Sequence, residues 1–385
     1  MLGAARRAAG AVGAARRSFA QAALVSAEQS PFLRFGSPHA AAIDLAPALA
    51  ALPETKVTRL PSGLRVITEA TPHAATATVG VWIDAGSRFE TAATNGTAHF
   101  LEHMAFKGTA ARSAAELEVA VEDMGGHLNA FTSREQTCYY AKVAGGHVAG
   151  AVEILADILL NARLAEAAIE RERGVILREM QEVEGMPQEV LFDHLHATAF
   201  QRCALGRPIL GPAANVRALT RAHLADYVRA NYTAPRMVVV GAGAVDHAAL
   251  VKEVEKRFAA LPTEGPTAEA LAAASPSTFT GSEVRIRDPE MDRVHAVVAF
   301  RGAAAAEADS VPLMVMQSML GAWDASAPGG GDAGSKLAQT VAANGLAESF
   351  VAFNTNYRDT GLFGVYAVAD PKVRLGCCGF DRLFH

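Results

Sequence analysis

The run His99-Phe100-Leu101-Glu102-His103 constrains this 385-residue chain more tightly than any other stretch. On a helix, residues four apart share a face, so His99 and His103 project together and two imidazole nitrogens can converge on one metal ion. Glu102, three residues after His99, lies beside them, where a carboxylate can take a proton from an attacking water without being a ligand. Asn95 or Thr97 is placed to cap the start of that helix and Gly108 to end it. Any fold for this chain must therefore present one short, well-anchored helix to solvent along one edge.

A catalytic zinc usually takes three protein ligands and keeps one position open. The third must come from elsewhere, and the charged helical pattern Glu170-Arg171-Glu172-Arg173-Gly174-Val175-Ile176-Leu177-Arg178-Glu179 makes Glu179 a candidate. Glu172 lies seven residues earlier, two turns away on the same face, where it can orient a ligand or the water. Spacing alone does not choose among Glu170, Glu172, Glu179 and Glu182.

The length predicts two domains, and a composition half hydrophobic with 19% charged residues excludes a disordered chain. Cys138, Cys203, Cys377 and Cys378 show no C-x-x-C spacing and read as reduced thiols, which argues against a disulfide scaffold. The longest apolar run, 148–160, is interrupted by Glu153 and Asp157 and is too short to span a membrane. A net charge of −5 argues against nucleic acid as a partner, since duplex phosphate calls for a concentrated basic face.

Periodicity predicts strands over 56–60, 64–69 and 77–84 and helices over 96–107 and 114–124. Strands at 127–133 and 137–143 come next, then helices over 147–160, 165–184 and 188–200, with Pro187 at the break. A helix over 220–230, a buried strand at 237–241 and a helix over 246–258 complete a first unit, 55–260. The proline-bearing stretch 261–278 reads as a linker. Strands at 283–288 and 294–300, helices over 309–322 and 335–344, and strands at 348–354 and 360–367 then repeat the opening of the first unit. The fold class expected is α+β, with duplicated domains of mixed, largely antiparallel sheets flanked by helices. The second domain, 279–385, is expected to be incomplete, because about half as many residues follow the linker as precede it.

The sequence Gly96-Thr97-Ala98-His99-Phe100-Leu101-Glu102-His103-Met104-Ala105-Phe106-Lys107-Gly108-Thr109 closely resembles the β subunits of mitochondrial processing peptidases, an inverted-zincin family of the pitrilysin type. So do 125–137, Gly125-Gly126-His127-Leu128-Asn129-Ala130-Phe131-Thr132-Ser133-Arg134-Glu135-Gln136-Thr137, and 353–363, Phe353-Asn354-Thr355-Asn356-Tyr357-Arg358-Asp359-Thr360-Gly361-Leu362-Phe363. The resemblance runs over approximately 55–370 and implies one zinc per chain, held by His99, His103 and Glu179, with Glu102 as general base and Glu172 assisting. It also implies that Asn129, Ala130 and Phe131 lie on an edge strand that pairs with an extended substrate. Glu189 and Asp193 would receive a substrate arginine, and Phe106 would line the pocket for the side chain after the cut. The activity implied is removal of N-terminal targeting presequences from imported precursors, in a heterodimer with an α subunit. The other role known for this fold is that of a core scaffold subunit of the cytochrome bc1 complex.

Residues 1–19 carry Arg6, Arg7, Arg16 and Arg17 and no acid, and read as a mitochondrial transit peptide, with Arg17-Ser18-Phe19-Ala20 resembling a matrix cleavage site. Residues 20–54 read as a linker. The location expected is the mitochondrial matrix, or the matrix face of the inner membrane in the bc1 case. From Pro371 onward the resemblance stops, and a truncated product is the expectation. His194 and His196, two apart and so on different helix faces, read as structural. His127 and His147 beside glycine pairs read as strand or turn residues, and Gly329-Gly330-Gly331 lacks the lysine and helix of a phosphate loop.

Overall fold

The computed structural model describes residues 52–71, 73–327 and 334–371. The arginine-rich leader, nearly all of 20–54, the glycine triplet at 329–331, Cys377, Cys378 and the divergent end after Pro371 lie outside the described residues. From Glu54 onward the described chain belongs to one compact unit containing two sheets.

The first sheet has six strands: β1 (Thr55–Arg59), β2 (Arg65–Ala70), β3 (Thr76–Ile83), β4 (His127–Thr132), β5 (Thr137–Ala144) and β6 (Met237–Gly243), in the spatial order β1-β2-β6-β3-β5-β4. All neighbours are antiparallel except β2 and β6, whose parallel pairing requires the long helical excursion between them. Along β3, Val79, Val81 and Ile83 point into the core while Trp82 is exposed on the opposite face, the period-two pattern of a sheet covered on one side. The covering helices are α1 (Thr97–Ala105), α2 (Ala114–Glu122), α3 (Val148–Leu160), α4 (Glu166–Glu184), α5 (Pro187–Ala199), α6 (Ala213–Ala218), α7 (Arg221–Asn231) and α8 (His247–Arg257). Pro187 stands at the first position of α5, where its missing N–H costs nothing, so it separates α4 from α5 without kinking either.

After a short helix α9 (Ala268–Ala274), the second sheet comprises β7 (Val294–Gly302), β8 (Ala322–Asp324), β9 (Ser349–Asn356) and β10 (Gly361–Ala369), all antiparallel in the order β7-β10-β9-β8, with α10 (Ser310–Leu320) and α11 (Lys336–Asn344) between strands. The duplication is visible as topology. β3-α1-α2-β4-β5 in the first half matches β7-α10-α11-β9-β10 in the second, and in both the first strand pairs with the last and the last with the one before it. Where α1 carries His99, Glu102 and His103, α10 reads Ser-Val-Pro-Leu-Met-Val-Met-Gln-Ser-Met-Leu and has no metal-binding side chain beyond methionine sulfur. The fold is thus the duplicated α+β class expected.

Two local expectations fail. No strand forms over 283–288: Val284 and Ile286 stay exposed and the segment pairs with neither sheet, and an alternating pattern without a hydrogen-bonded partner does not make a strand. Within 261–278 the chain forms α9, whose start is capped by Thr267 accepting from the Ala270 N–H. Cys138 is buried and Cys203 half-buried, both as free thiols.

The two halves meet at the β9–β10 turn. Buried Arg88 donates Nη1 to Glu135 at 2.6 Å and grips Asp359 with both terminal nitrogens, at 2.8 and 2.6 Å. Next to it, Tyr357 Oη lies 2.5 Å from His196 Nε2, and the ring's Nδ1 is 2.7 Å from the Phe192 carbonyl. Burial pushes the His196 pKa down to about 3. His196 is therefore the structural histidine its position on the helix implied.

Candidate active site

Helix α1 starts differently from the sequence expectation. The cap position is Gly96, not Asn95 or Thr97, and neither of those side chains caps the helix. Gly96 sits at φ 105°, and a Cβ there would lie 2.7 Å from the Leu210 carbonyl oxygen, so only glycine fits. The first N–H groups are satisfied instead by Glu90, whose carboxylate accepts from Gly96 N at 2.9 Å, Ala98 N at 2.6 Å and Asn95 Nδ2 at 2.7 Å. Burial raises its pKa to about 7 against the pull of those three donors. The helix ends at Ala105 with Phe106 at its C-cap, so Gly108 does not end it as expected; at φ 99° it turns the chain two residues beyond the cap.

One turn of this helix sets the imidazoles of His99 and His103 edge to face, 4.8 Å between ring centroids. Helix α4 packs across α1 and brings Glu179 to both: Oε1 lies 3.5 Å from His99 Nε2 and Oε2 lies 3.2 Å from His103 Nε2. One donor atom from each of the three residues falls within 4.8 Å of the others, a separation one ion can span. Contact with His103 and then His99 pulls the Glu179 carboxyl well below the usual carboxylate range. Burial opposes protonation of His103, but Glu179 and Glu172 outweigh it and raise its pKa.

Glu172 is buried behind His103. Its Oε2 lies 3.4 Å from His103 Nδ1, and its Oε1 accepts from Lys107 Nζ at 2.9 Å. A carboxylate on one ring nitrogen orients the imidazole and leaves Nε2 directed at the ion. Glu172 is thus engaged on both oxygens, an orienting rather than proton-transferring position. His99 has no such support: its Nδ1 is buried and has no hydrogen-bond partner among the described residues. The donor set fits a zinc ion, with two imidazoles and one carboxylate converging within reach of a single ion.

Glu102 projects from α1 half-buried, and among the described residues no hydrogen bond engages its carboxylate. Its charge is felt by two buried tyrosines. Burial above all, with the nearby Glu102 charge adding to it, pushes Tyr139 well above its ordinary value and Tyr232 up to about 12.

The remaining sequence candidates do not all gather here. Asn129, Ala130 and Phe131 lie on β4, which is the open edge of the first sheet. Leu128 and Ala130 face the core, while Phe131 turns to the other face and meets Trp82 edge-on at 5.4 Å. The Ala130 N–H donates to the Asn129 side chain at 2.8 Å, so it points outward from the sheet edge. Phe106 packs against the core with its ring 6.4 Å from that of Tyr139. Glu189 is exposed on α5, but Asp193 is already held by Arg134 Nη2 at 2.5 Å. Lys107, Glu90 and Arg134 were missed by the sequence reading. Lys107 follows His103 by four residues and was within reach of a spacing argument, whereas Glu90 and Arg134 meet their partners only through the fold.

An α+β fold that brings two histidines and a glutamate together beside an unengaged carboxylate belongs to the metallopeptidase class. Residues 65–213 match the insulinase family, peptidase family M16, and residues 218–376 match the M16 inactive domain. The chain belongs to this family. It is 58% identical over 338 residues to a probable mitochondrial-processing peptidase subunit beta from Arabidopsis thaliana, covering 88% of this chain and 64% of that one. To the mitochondrial-processing peptidase subunit beta of Lentinula edodes it is 54% identical, over 84% of this chain and 70% of the relative. Among solved structures, a chain of complex III2 from Candida albicans superposes with TM-score 0.72 at 25% identity, over 83% of this chain and 72% of that one. A protease from Helicobacter pylori superposes with TM-score 0.70 at 19% identity, over 86% and 83%, and shares the fold. The chain thus spans a little under two thirds of the Arabidopsis relative's length.

Proposed function

We propose that this chain is the zinc-bearing β subunit of a mitochondrial presequence peptidase, acting in the matrix with an α partner. The observation that carries the reading is the convergence of His99, His103 and Glu179 beside a Glu102 carboxylate that no hydrogen bond engages among the described residues. When bound, zinc supplies a Lewis acid that polarises the scissile carbonyl and makes water acidic enough to attack near neutral pH. His99, His103 and Glu179 would hold it, and Glu172, itself anchored by Lys107, orients the His103 ring. Glu102 takes the proton of the attacking water and returns it to the leaving amine. Among the described residues the repeat offers no second set of this kind, since α10 lacks the two histidines and the glutamate of α1.

Substrate is held as an added strand on β4, where main-chain groups supply affinity with little demand on sequence. Asn129 and Phe131 turn their side chains away from the helical face, so their contribution is chiefly backbone geometry. Ala130→Pro removes the outward N–H, and proline is tolerated on an edge strand. The expected result is a KM raised about tenfold, the loss of one main-chain hydrogen bond at roughly 1.4 kcal/mol, with the melting temperature held. An unchanged KM would place the substrate elsewhere. Glu189, which no side chain engages among the described residues, is the acid offered to a substrate arginine, and Asp193 joins it only by sharing or releasing Arg134.

The test is metal analysis of the purified chain together with cleavage of a presequence-bearing precursor by the chain co-expressed with an α subunit. One zinc per chain and a cut near the precursor N-terminus are expected; no zinc, or no cleavage by the zinc-loaded pair, overturns the reading. The likeness to a complex III2 chain favours a second reading, a core subunit of the bc1 complex. Co-purification with cytochromes b and c1 would establish that role, which is compatible with peptidase activity.

A further inference from the structure

The two histidines of the site are held in place by different means. The His103 ring is oriented through its own Nδ1 by Glu172, which Lys107 anchors in turn. The His99 ring meets Glu179 through Nε2, but its buried Nδ1 has no partner among the described residues, so no group behind the ring orients it as Glu172 orients His103. What is fixed is the backbone one residue earlier: the Ala98 N–H donates to Glu90 at 2.6 Å and the Gly96 N–H donates to the other oxygen at 2.9 Å. That carboxylate is itself immobile. It is buried, it takes a third bond from Asn95 Nδ2, and Asn95 is tied through the same amide to the Pro208 carbonyl at 2.9 Å. Gly96 packs against the Leu210–Gly211 backbone, where a Cβ would lie 2.7 Å from the Leu210 carbonyl oxygen.

We infer that Glu90 is the positioning residue for His99, replacing by a backbone anchor at the start of α1 the ring hydrogen bond that this ligand lacks. Rotation by one residue turns a helix through about 100°, so a start that slips or frays carries His99 away from Glu179 before it disturbs His103, one turn further in. The first turn is also the part of a helix with the fewest internal hydrogen bonds and hence the part most dependent on an external acceptor. Glu90 contacts neither substrate nor metal in this arrangement. The inference rests on the metal-site reading given above.

The experiment uses the full chain with cobalt(II) as probe and zinc in competition with a chelator, at pH 8. Glu90→Gln keeps the shape but offers one acceptor oxygen and places an amide donor against an N–H. The expected result is metal affinity lower by about 10- to 100-fold, the range for losing an orienting group behind a ligand, with a changed cobalt absorption spectrum. Glu90→Asp, which keeps the charge but withdraws it by one methylene, is expected to fall between wild type and Glu90→Gln, and serves if the glutamine variant does not fold. Ser113→Ala, which removes the cap of the neighbouring helix α2, is the control for general destabilisation and should leave affinity and spectrum unchanged. Wild-type affinity and spectrum in Glu90→Gln, or in Glu90→Asp should the glutamine variant not fold, would overturn the inference alone, as would an equal loss in Ser113→Ala. A wild-type chain that binds neither metal would overturn the site reading, and this inference with it.

Discussion

Glu102→Gln should lower kcat by about 10³-fold, within the 10²- to 10⁴-fold that general acid–base catalysis supplies, while zinc content and KM stay close to wild type. The substitution preserves the shape of the side chain and removes its basicity. Glu102 is not among the three donor groups that converge, so the ion should stay. It also makes no hydrogen bond among the described residues, so no structural partner is orphaned by the change. An effect confined to kcat identifies a group that works in the transition state rather than in binding. The measurement is steady-state cleavage of a precursor by the co-expressed pair, with metal analysis of each variant. Equal turnover by wild type and Glu102→Gln would remove Glu102 from the role. Loss of zinc from the variant would mean that the carboxylate supports the ion, a different assignment from the one argued here.

The local part of this site was legible in the sequence because its geometry is local. A four-residue spacing on a helix dictates that His99 and His103 share a face whatever the rest of the chain does. Choosing Glu179 over Glu170, Glu172 and Glu182 was beyond spacing, since the choice depends on how α4 crosses α1. The resemblance pointed to Glu179, and the packing brings its carboxylate to both histidines. Capping shows the limit from the other side: local rules favoured Asn95 or Thr97, but the acceptor is Glu90, which reaches back from a separate turn. The strand expected over 283–288 had the right alternation, but alternation does not supply a partner, and the segment pairs with neither sheet although β7 is an open edge. The repeat was legible because element order survives in the sequence, even though only one copy retains the metal-binding residues. What spacing could not reveal is that Asp193 is already paired with Arg134, because the partners are 59 residues apart.

Asp359→Ala should destabilise the chain by about 3–5 kcal/mol, the usual loss when one partner of a buried ion pair is removed. Arg88 lies almost wholly inside, with 3% of its side chain exposed, so its charge has no recourse to water once the partner is gone. Asp359 accepts from both terminal nitrogens of Arg88 and also from the Ser277 N–H at 2.8 Å, so three hydrogen bonds are lost together and Arg88 Nη2 keeps only the Ser275 carbonyl at 3.3 Å. Glu135 remains on Arg88, but its other oxygen is committed to the Arg358 N–H at 3.0 Å. The contact joins the β9–β10 turn of the second sheet to the β4–β5 turn of the first, whose edge strand is the proposed substrate platform. Urea unfolding of the full chain gives the loss. A double-mutant cycle with Arg88→Met separates the burial penalty from the rest. Arg88→Met removes the under-compensated cation, so that Arg88→Met with Asp359→Ala should cost less than the two single changes added together, by about 0.5–3 kcal/mol. A cost under 1 kcal/mol for Asp359→Ala, or strict additivity in the cycle, would mean that the two halves are joined by apolar packing around Phe200, Tyr357 and Leu362 and that the ion pair is incidental.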